Sequence, residues 1–257
     1  MPPGSTSGRR DPAAMVRLSV NVNKVATLRN SRGGTAPSVM EAVRVCVQEG
    51  APGITVHPRA DGRHITPMDV RAIRAELASA PGVEYNIEGD PRPDLLDLVH
   101  EVRPHQCTLV PVQPGEVTSQ AGWPVTTPAG VLRPTIDGFR AAGIRVSLFV
   151  DALESPIRWA ADQGADRVEL YTEPYARAFE RGGVEATRSL DTYVRAAELA
   201  HDLGLGVNAG HDLDLENLPL FRTVPHLAEV SIGHALISRA LFVGLGTTVR
   251  EYLDVLA

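Results

Sequence analysis

Gly53-Ile54-Thr55-Val56-His57-Pro58-Arg59-Ala60-Asp61-Gly62-Arg63-His64-Ile65-Thr66 is the stretch that decides the fold. Ile54 to Val56 is a short apolar β run, and it breaks off into a loop holding two histidines, two arginines and an aspartate. A helix signal follows at once. Thr66 is a capping residue, Pro67 suits the first helical position, and Asp69 places a carboxylate in the first turn, where the N–H groups are unpaired. The unit reads as strand, polar loop, helix. Its polar groups gather just past the C-terminal end of the strand, where α/β proteins keep their chemistry.

The same grammar recurs along the chain. A helix stops at Gly or Ala-Gly, and a β-rich run of four to six residues follows. That run ends in polar residues, and a further helix begins. Strands are expected at Arg17–Val22, Gly53–His57, Val83–Glu88, Gln106–Val110, Arg145–Val150, Arg167–Tyr171, Leu205–Asn208 and Glu229–Ile232. Helices are expected at Glu41–Glu49, Met68–Ser79, Pro93–Val102, Ala129–Ala142, Ser155–Gln163, Leu190–Leu203, His234–Val243 and Thr247–Leu256. Spacing of about 20 to 40 residues per unit is what parallel βαβ crossovers need. Eight such units in about 250 residues is the count for a closed (β/α)8 TIM barrel. The fold class is therefore α/β, a single-domain barrel over residues 15–257 with extra short helices. A doubly wound open sheet is the runner-up, but no Gly-x-Gly-x-x-Gly follows the first strand.

Composition narrows the class. The chain has 257 residues, 43% hydrophobic and 22% charged, as in an ordinary water-exposed globule. A net charge of −6 argues against general attraction to nucleic acid or membrane, so anion binding must be local. Cys46 and Cys107 form neither a framework nor a CxxC pair, which fits a reducing, cytoplasmic setting. No apolar run approaches the roughly 20 residues that span a bilayer. Residues 1–14 are rich in Pro, Gly, Ser and Arg without an apolar core. They are expected to form a disordered N-terminal tail rather than a secretory signal.

In a barrel, residues past the strand ends share one mouth. Strand one supplies Asn21, Asn23 and Lys24, then a Gly-containing loop with Arg29 and Arg32. Strand two supplies His57, Arg59, Arg63 and His64, strand three Asn86 and Glu88, and strand four leads to Thr118 and Ser119. Strand five ends at Asp151, strand six carries Glu169, Thr172 and Glu173, and strand seven ends in Asn208-Ala209-Gly210-His211-Asp212. Strand eight ends in Gly233-His234, where a short extra helix opens. Loops seven and eight with such a helix form phosphate sites in many barrels, because free N–H groups and the helix dipole favour an anion. Arg32, Arg59 and Arg63 can grip phosphate or carboxylate.

His57, His211 and Glu88 are the candidate acid–base set, since imidazole titrates near neutral pH and burial raises a glutamate's pKa. Blander readings exist for each. A loop histidine is commonly structural, Arg63 and the other loop arginines are commonly solvated, and Asp212 has the chemistry of a helix cap. A metal bound by His57, His64 and His211 is the sharper rival, but no His-x-His or His-Glu-x-x-His spacing is present. Lys24 is the chain's only lysine, which keeps a Schiff-base aldolase in view as a second enzyme class. A non-catalytic phosphate sensor is the third possibility, and it leaves the acid–base groups on several strands without a purpose.

Taken together, Asn21 to Asn30, Ile54 to Ile65, Asn86-Ile87-Glu88, Leu109-Val110-Pro111, Val207 to His211 and Ser231 to Ala235 form a specific set. On these motifs the chain resembles the pyridoxine 5′-phosphate synthase family of vitamin B6 biosynthesis, from about Met15 to the C-terminus. The resemblance implies a TIM barrel, commonly a homo-octamer, with no metal and no organic cofactor. It implies condensation of 3-amino-2-oxopropyl phosphate with 1-deoxy-D-xylulose 5-phosphate to pyridoxine 5′-phosphate, phosphate and water. The implied partners are these small phosphorylated molecules, with neither nucleic acid nor membrane. By motif position, His57 and Glu88 match general bases, His211 a proton donor, and Glu169 a residue that stabilises the transition state. Asn21, Arg32, Gly233 and His234 match contacts to the amino ketone phosphate, and Arg59, His64 and Thr118 contacts to the deoxyxylulose phosphate. Asn23 and Lys24 stand in the deoxyxylulose phosphate site where many members have Asp-His. Asp212 stands beside the proton donor where many have Gly. A carboxylate there repels phosphate, so Asp212 should turn away or pair with a cation such as Lys24.

Overall fold

The alternating pattern of strand and helix closes on itself in the structure, a computed structural model that describes residues 15–112 and 119–257. Eight parallel strands, β1 (Arg17–Asn21), β2 (Gly53–Val56), β3 (Glu84–Gly89), β4 (Gln106–Leu109), β5 (Arg145–Val150), β6 (Arg167–Tyr171), β7 (Gly206–Gly210) and β8 (Leu227–Ile232), form one closed barrel in sequence order. β1 pairs with β8 through Arg17↔Glu229 and Val20↔Ile232, which completes the ring. Among the described residues eleven helices surround it. They are α1 (Asn23–Asn30), α2 (Val39–Gln48), α3 (Pro67–Leu77), α4 (Pro93–Val102), α5 (Ala129–Ala141), α6 (Glu154–Gln163), α7 (Glu173–Glu180), α8 (Gly183–Asp202), α9 (Leu218–Phe221), α10 (His234–Val243) and α11 (Leu245–Leu256). The expected tail, residues 1–14, lies outside the described residues.

Strand ends fall within two residues of expectation, but three helices were not foreseen. Asn23 to Asn30 is a helix rather than a loop. No side chain caps its start, so the usual entry signal is missing. Burial of Val25 and Ala26 and the ion pair of Arg29 with Asp69 hold it in place. α7 and the four-residue α9 were likewise not anticipated, and α8 begins at Gly183, seven residues before Leu190. α3 starts as its sequence dictates. The Thr66 hydroxyl accepts from Asp69 N–H at 3.2 Å, and the Asp69 carboxylate accepts from Thr66 N–H at 2.8 Å, a reciprocal capping box.

The strands alternate strictly. Leu18, Val20, Ile54, Val56, Tyr85, Ile87, Cys107, Leu109, Val146, Leu148, Val168, Leu170, Val207 and Val230 are all buried on the helix-facing side. The opposite set points into the barrel and, apart from glycines and the Phe149–Tyr171 pair, is polar instead of the branched aliphatic filling common in this fold. Asn208 Nδ2 donates across the barrel to Gln106 Oε1 and to Glu229 Oε1 on the adjacent strand, both at 3.3 Å. Arg167 donates to Asn208 Oδ1 at 2.8 Å, and Arg145 to Gln106 Oε1 at 3.0 Å. Glu84 takes ion pairs from Arg17 at 3.2 Å and from Arg145. Higher up, Ser19 and Thr55 hydroxyls lie 2.6 Å apart and Thr108 donates to Asn86 at 3.1 Å. Most of these buried polar groups partner one another, and an unpaired one costs on the order of 1–3 kcal/mol; Ser147 Oγ, Glu169 Oε2 and Ser231 Oγ are the interior exceptions among the described residues.

Candidate active site

The same alternation that fills the barrel with polar groups delivers Asn21, Glu88, Glu169 and Ser231 to the upper end of their strands. There a cavity of about 560 Å³ opens. Asn23, Lys24, His57, Arg59, His64, His211, Asp212, Gly233 and His234 also line it. With Val110 just past β4 and Phe149 of β5, all eight strands contribute at their C-terminal ends.

His57 sits just past β2, buried, with its backbone N–H given to Asn23 Oδ1 at 2.9 Å. Burial, then the charges of His64, Arg59 and Arg92, push its imidazole down to about 3, so the ring is neutral at physiological pH. Its Nε2 has no hydrogen-bond partner among the described residues. The His64 ring lies 6.0 Å from it, edge-on, and is held down to about 4 by burial and by Arg59 and Lys24.

Glu88 and Glu169 both shift upward. Burial and the nearby Glu229 carboxylate raise Glu88 to about 8, against a Ser231 hydroxyl that favours the charged form. Burial, then Glu88 and Glu229, raise Glu169 well above the usual carboxylate range. Like charges this close do not all ionise, so the pair carries protons at neutral pH. Asn21 Nδ2 reaches Glu88 Oε2 at 3.4 Å, and Asn21 Oδ1 accepts from Asn23 N–H at 3.0 Å. One asparagine therefore links β1, the first turn of α1 and the β3 carboxyl.

In the Asn208–Asp212 segment the glycine serves packing. A Cβ on Gly210 would stand 2.6 Å from the Ser231 carbonyl and 3.2 Å from Glu169 Oε1. Its missing side chain makes room for Glu169 and β8 rather than for a ligand. Asp212 does pair with a cation-forming group, but that group is His211 Nδ1 at 3.0 Å rather than Lys24. Lys24 instead acts on His64. Gly233 admits Asn21, whose Cβ and Cγ would lie 3.0 and 3.1 Å from an added Cβ. α10 then begins at His234 without a side-chain cap, and Gly233, His234 and Ala235 face the cavity.

Arg59, His64, Lys24 and Asn23 are brought together beside His57 as the sequence implied. Arg32 is not: it stays exposed between α1 and α2 and does not line the cavity. Thr118 lies outside the described residues, and its neighbour Ser119 lines the cavity. Arg63, read as solvated, also lines it, paired with Asp61 at 2.6 Å; Asp61 lies 3.5 Å from Arg59 as well. Arg92 was missed. From the start of α4 it donates to the Pro58 carbonyl, pairs with Asp90, and adds positive charge near His57. No motif marks it, because its contacts run between two different loops. Among the described residues no group of three or more His, Cys, Asp or Glu is arranged to hold a metal ion, and no helix is long and apolar enough to cross a membrane.

The family model for pyridoxal phosphate biosynthesis protein PdxJ matches residues 18–257. The chain belongs to the PdxJ family. Pyridoxine 5′-phosphate synthase of Christiangramia forsetii is 50% identical over 243 residues, 94% of this chain and 100% of that protein. The protein of the same name from Bacteroides fragilis is 51% identical over 243 residues, again 94% and 100%. Among solved structures, phosphoribosyl anthranilate isomerase from Thermotoga maritima superposes with a TM-score of 0.61 at 17% identity, covering 94% of this chain and 98% of that one. That likeness concerns the barrel alone. In a PdxJ family member, the motif-matched residues of β1, β2, β3, β6, β7 and β8 converge on one cavity, with the exceptions of Arg32 and Thr118 already given.

Proposed function

We propose that this chain is a pyridoxine 5′-phosphate synthase, a transferase that condenses 3-amino-2-oxopropyl phosphate with 1-deoxy-D-xylulose 5-phosphate. The products are pyridoxine 5′-phosphate, inorganic phosphate and water. The observation that carries the reading is the convergence of His57, Glu88, Glu169 and His211, from four different strands, on one cavity of a PdxJ family barrel.

The chemistry needs such a set. The amine of one substrate adds to the ketone of the other, and loss of water makes an imine. Phosphate is then eliminated, and carbon–carbon closure with further proton transfers yields the aromatic ring. Each step moves a proton, so several positioned acids and bases serve in turn. His57, neutral with an unpaired Nε2, is ready to accept a proton. Glu88 starts as an acid and becomes a base once it has delivered its proton. Glu169, protonated and with Oε2 unpaired, suits donation of a hydrogen bond to a developing oxyanion. His211 gives the proton that releases a leaving group. The imine arises from the substrates themselves, so the sequence of steps calls for no electron sink from an added cofactor.

Two phosphates must be held apart. The uncapped start of α10, with Asn21, Gly233 and His234, suits the amino ketone phosphate. Arg59, His64 and Lys24 suit the deoxyxylulose phosphate, and the family resemblance adds Thr118. Arg32, outside the cavity, takes no part in this reading, and Asn23 holds the His57 backbone. The reading extends to a homo-octamer working in the cytoplasm on small phosphorylated partners, again as the family resemblance implies.

Complementation of a pyridoxine auxotroph tests the function. The wild-type chain should restore growth without pyridoxine and His57→Asn should not. Failure of the expressed, folded wild type to restore growth would remove the reading.

A further inference from the structure

We propose that Asp212 is a positioning residue for His211: its carboxylate accepts the Nδ1 proton, fixes the ring's tautomer and orientation, and makes Nε2 the nitrogen that exchanges protons with substrate. The proposal rests on the reading of His211 as the proton donor, and it gives Asp212 the support of a neighbour as its role.

The geometry is specific. Asp212 Oδ2 lies 3.0 Å from His211 Nδ1. To place it there, two consecutive non-glycine residues take left-handed backbone, His211 at φ 71° and Asp212 at φ 59°. Such positions favour glycine and persist only where the surroundings over-determine them. Here they do. Asn217 Nδ2 donates to the Asp212 carbonyl at 3.0 Å, and the Thr172 hydroxyl donates to the His211 carbonyl. Asn217 is itself buried, takes the Asp214 N–H at 3.0 Å on its Oδ1, and gives its carbonyl to the Tyr175 hydroxyl at 2.8 Å. On its other side the His211 ring meets Tyr171 edge-on, with centroids 5.2 Å apart and planes at 75°. The imidazole is therefore fixed on one face by an aromatic ring and at Nδ1 by a carboxylate.

A bare carboxylate in a cavity built for anions would be unfavourable, and the hydrogen bond from His211 resolves this. That bond is the main reason the Asp212 carboxyl is held below its ordinary range, with His234 and Arg177 adding positive charge. A carboxylate on the far nitrogen of an imidazole selects one tautomer and stabilises the imidazolium form from which a proton is donated. Glycine at position 212 would satisfy the backbone and supply neither effect.

Nitrogen-15 spectra of histidine-labelled full-length protein, with His211 assigned by comparison with His211→Asn, test the pairing directly. Under conditions where the ring is neutral, the wild type should carry its proton on Nδ1. Asp212→Gly, which keeps the left-handed turn, should move that proton to Nε2 and lower kcat about tenfold, with both KM values within about twofold, as loss of an outer-shell partner does. Asp212→Asn, which keeps an acceptor without the charge, should restore the Nδ1 tautomer and recover part of kcat. A wild-type proton on Nε2, or Asp212→Gly with unchanged tautomer and kcat, overturns the proposal. So does a rise in KM at constant kcat, which would make Asp212 a substrate contact. If the tautomer behaves as stated but His211→Asn retains full activity, the proton-donor role fails and the pairing survives.

Discussion

The side-chain oxygen of Asn23 accepts the backbone N–H of His57 at 2.9 Å, so the first turn of α1 fixes the end of β2. The acceptor is all that this contact requires, and a carboxylate of the same shape serves equally. Asn23→Asp should retain kcat within about threefold, while Asn23→Ala should lower it about tenfold or more, as loss of an outer-shell orienting group does. Steady-state kinetics on the two variants decide the matter. Equal losses in both would assign Asn23 a role that depends on its amide nitrogen.

Arg29 holds the same loop from its other end. Its guanidinium makes a fork with Asp69, at 2.6 and 2.9 Å, and Asn30 donates to the His64 carbonyl at 2.8 Å. Both charged side chains are mostly buried, 14% and 13% exposed. Asp69→Ala removes the capping box and leaves Arg29 without its carboxylate, and should cost about 3 kcal/mol in denaturant unfolding. A loss below about 1 kcal/mol, the range of a surface pair, would show that the clamp is not formed.

The buried acids and imidazoles set how stability depends on pH. Glu88, raised to about 8 by burial and Glu229, binds its proton in the folded chain when the unfolded chain has released it. Its contribution is present below the unfolded value and is lost as pH rises through about 8. His57 works at the other end. Lowered to about 3 by burial and neighbouring cations, it stays neutral where the unfolded chain is protonated, so its contribution falls as pH drops below 6.5. Thermal melts between pH 5 and 8 should show Glu88→Gln gaining on the wild type as pH rises, and His57→Asn gaining as pH falls. A constant offset for either variant would contradict the stated environment.

Binding of a phosphate beside Arg59 and His64 should change His57. Arg59 and His64 are among the causes that hold its imidazole neutral, and a dianion offsets their charge. Burial, the largest cause, persists in the complex, so association of the deoxyxylulose phosphate should take up protons only well below neutral pH, where the imidazole begins to titrate. In calorimetry this appears as a binding enthalpy that varies with the ionisation enthalpy of the buffer. No variation would place the phosphate elsewhere.

How far the sequence could be read follows from which interactions are local. Caps, glycine stops and apolar runs are local, so Thr66, Gly164 and the strand runs announced the barrel and its count. α1 escaped because it has no side-chain cap and is held by Asp69, forty residues away. The polar interior was visible in principle. Arg17-Leu18-Ser19-Val20-Asn21 and Glu84-Tyr85-Asn86-Ile87-Glu88 alternate polar with apolar, a pattern unusual in a barrel whose two faces are both buried. The site residues on strand ends were legible because β register alone brings them to one mouth. Arg92, the Arg63–Asp61 pair and the His211–Asp212 bond were not, since each depends on how a loop turns. Arg32 shows the converse: motif position implies a substrate contact, and the loop leaves the side chain outside the cavity.

The most direct test mixes the purified full chain with 3-amino-2-oxopropyl phosphate and 1-deoxy-D-xylulose 5-phosphate, without added cofactor, and follows pyridoxine 5′-phosphate together with released inorganic phosphate. The wild type should give both products in equal amounts and His57→Asn neither. Folded wild-type protein that binds both substrates and forms no pyridoxine 5′-phosphate would contradict the proposed function.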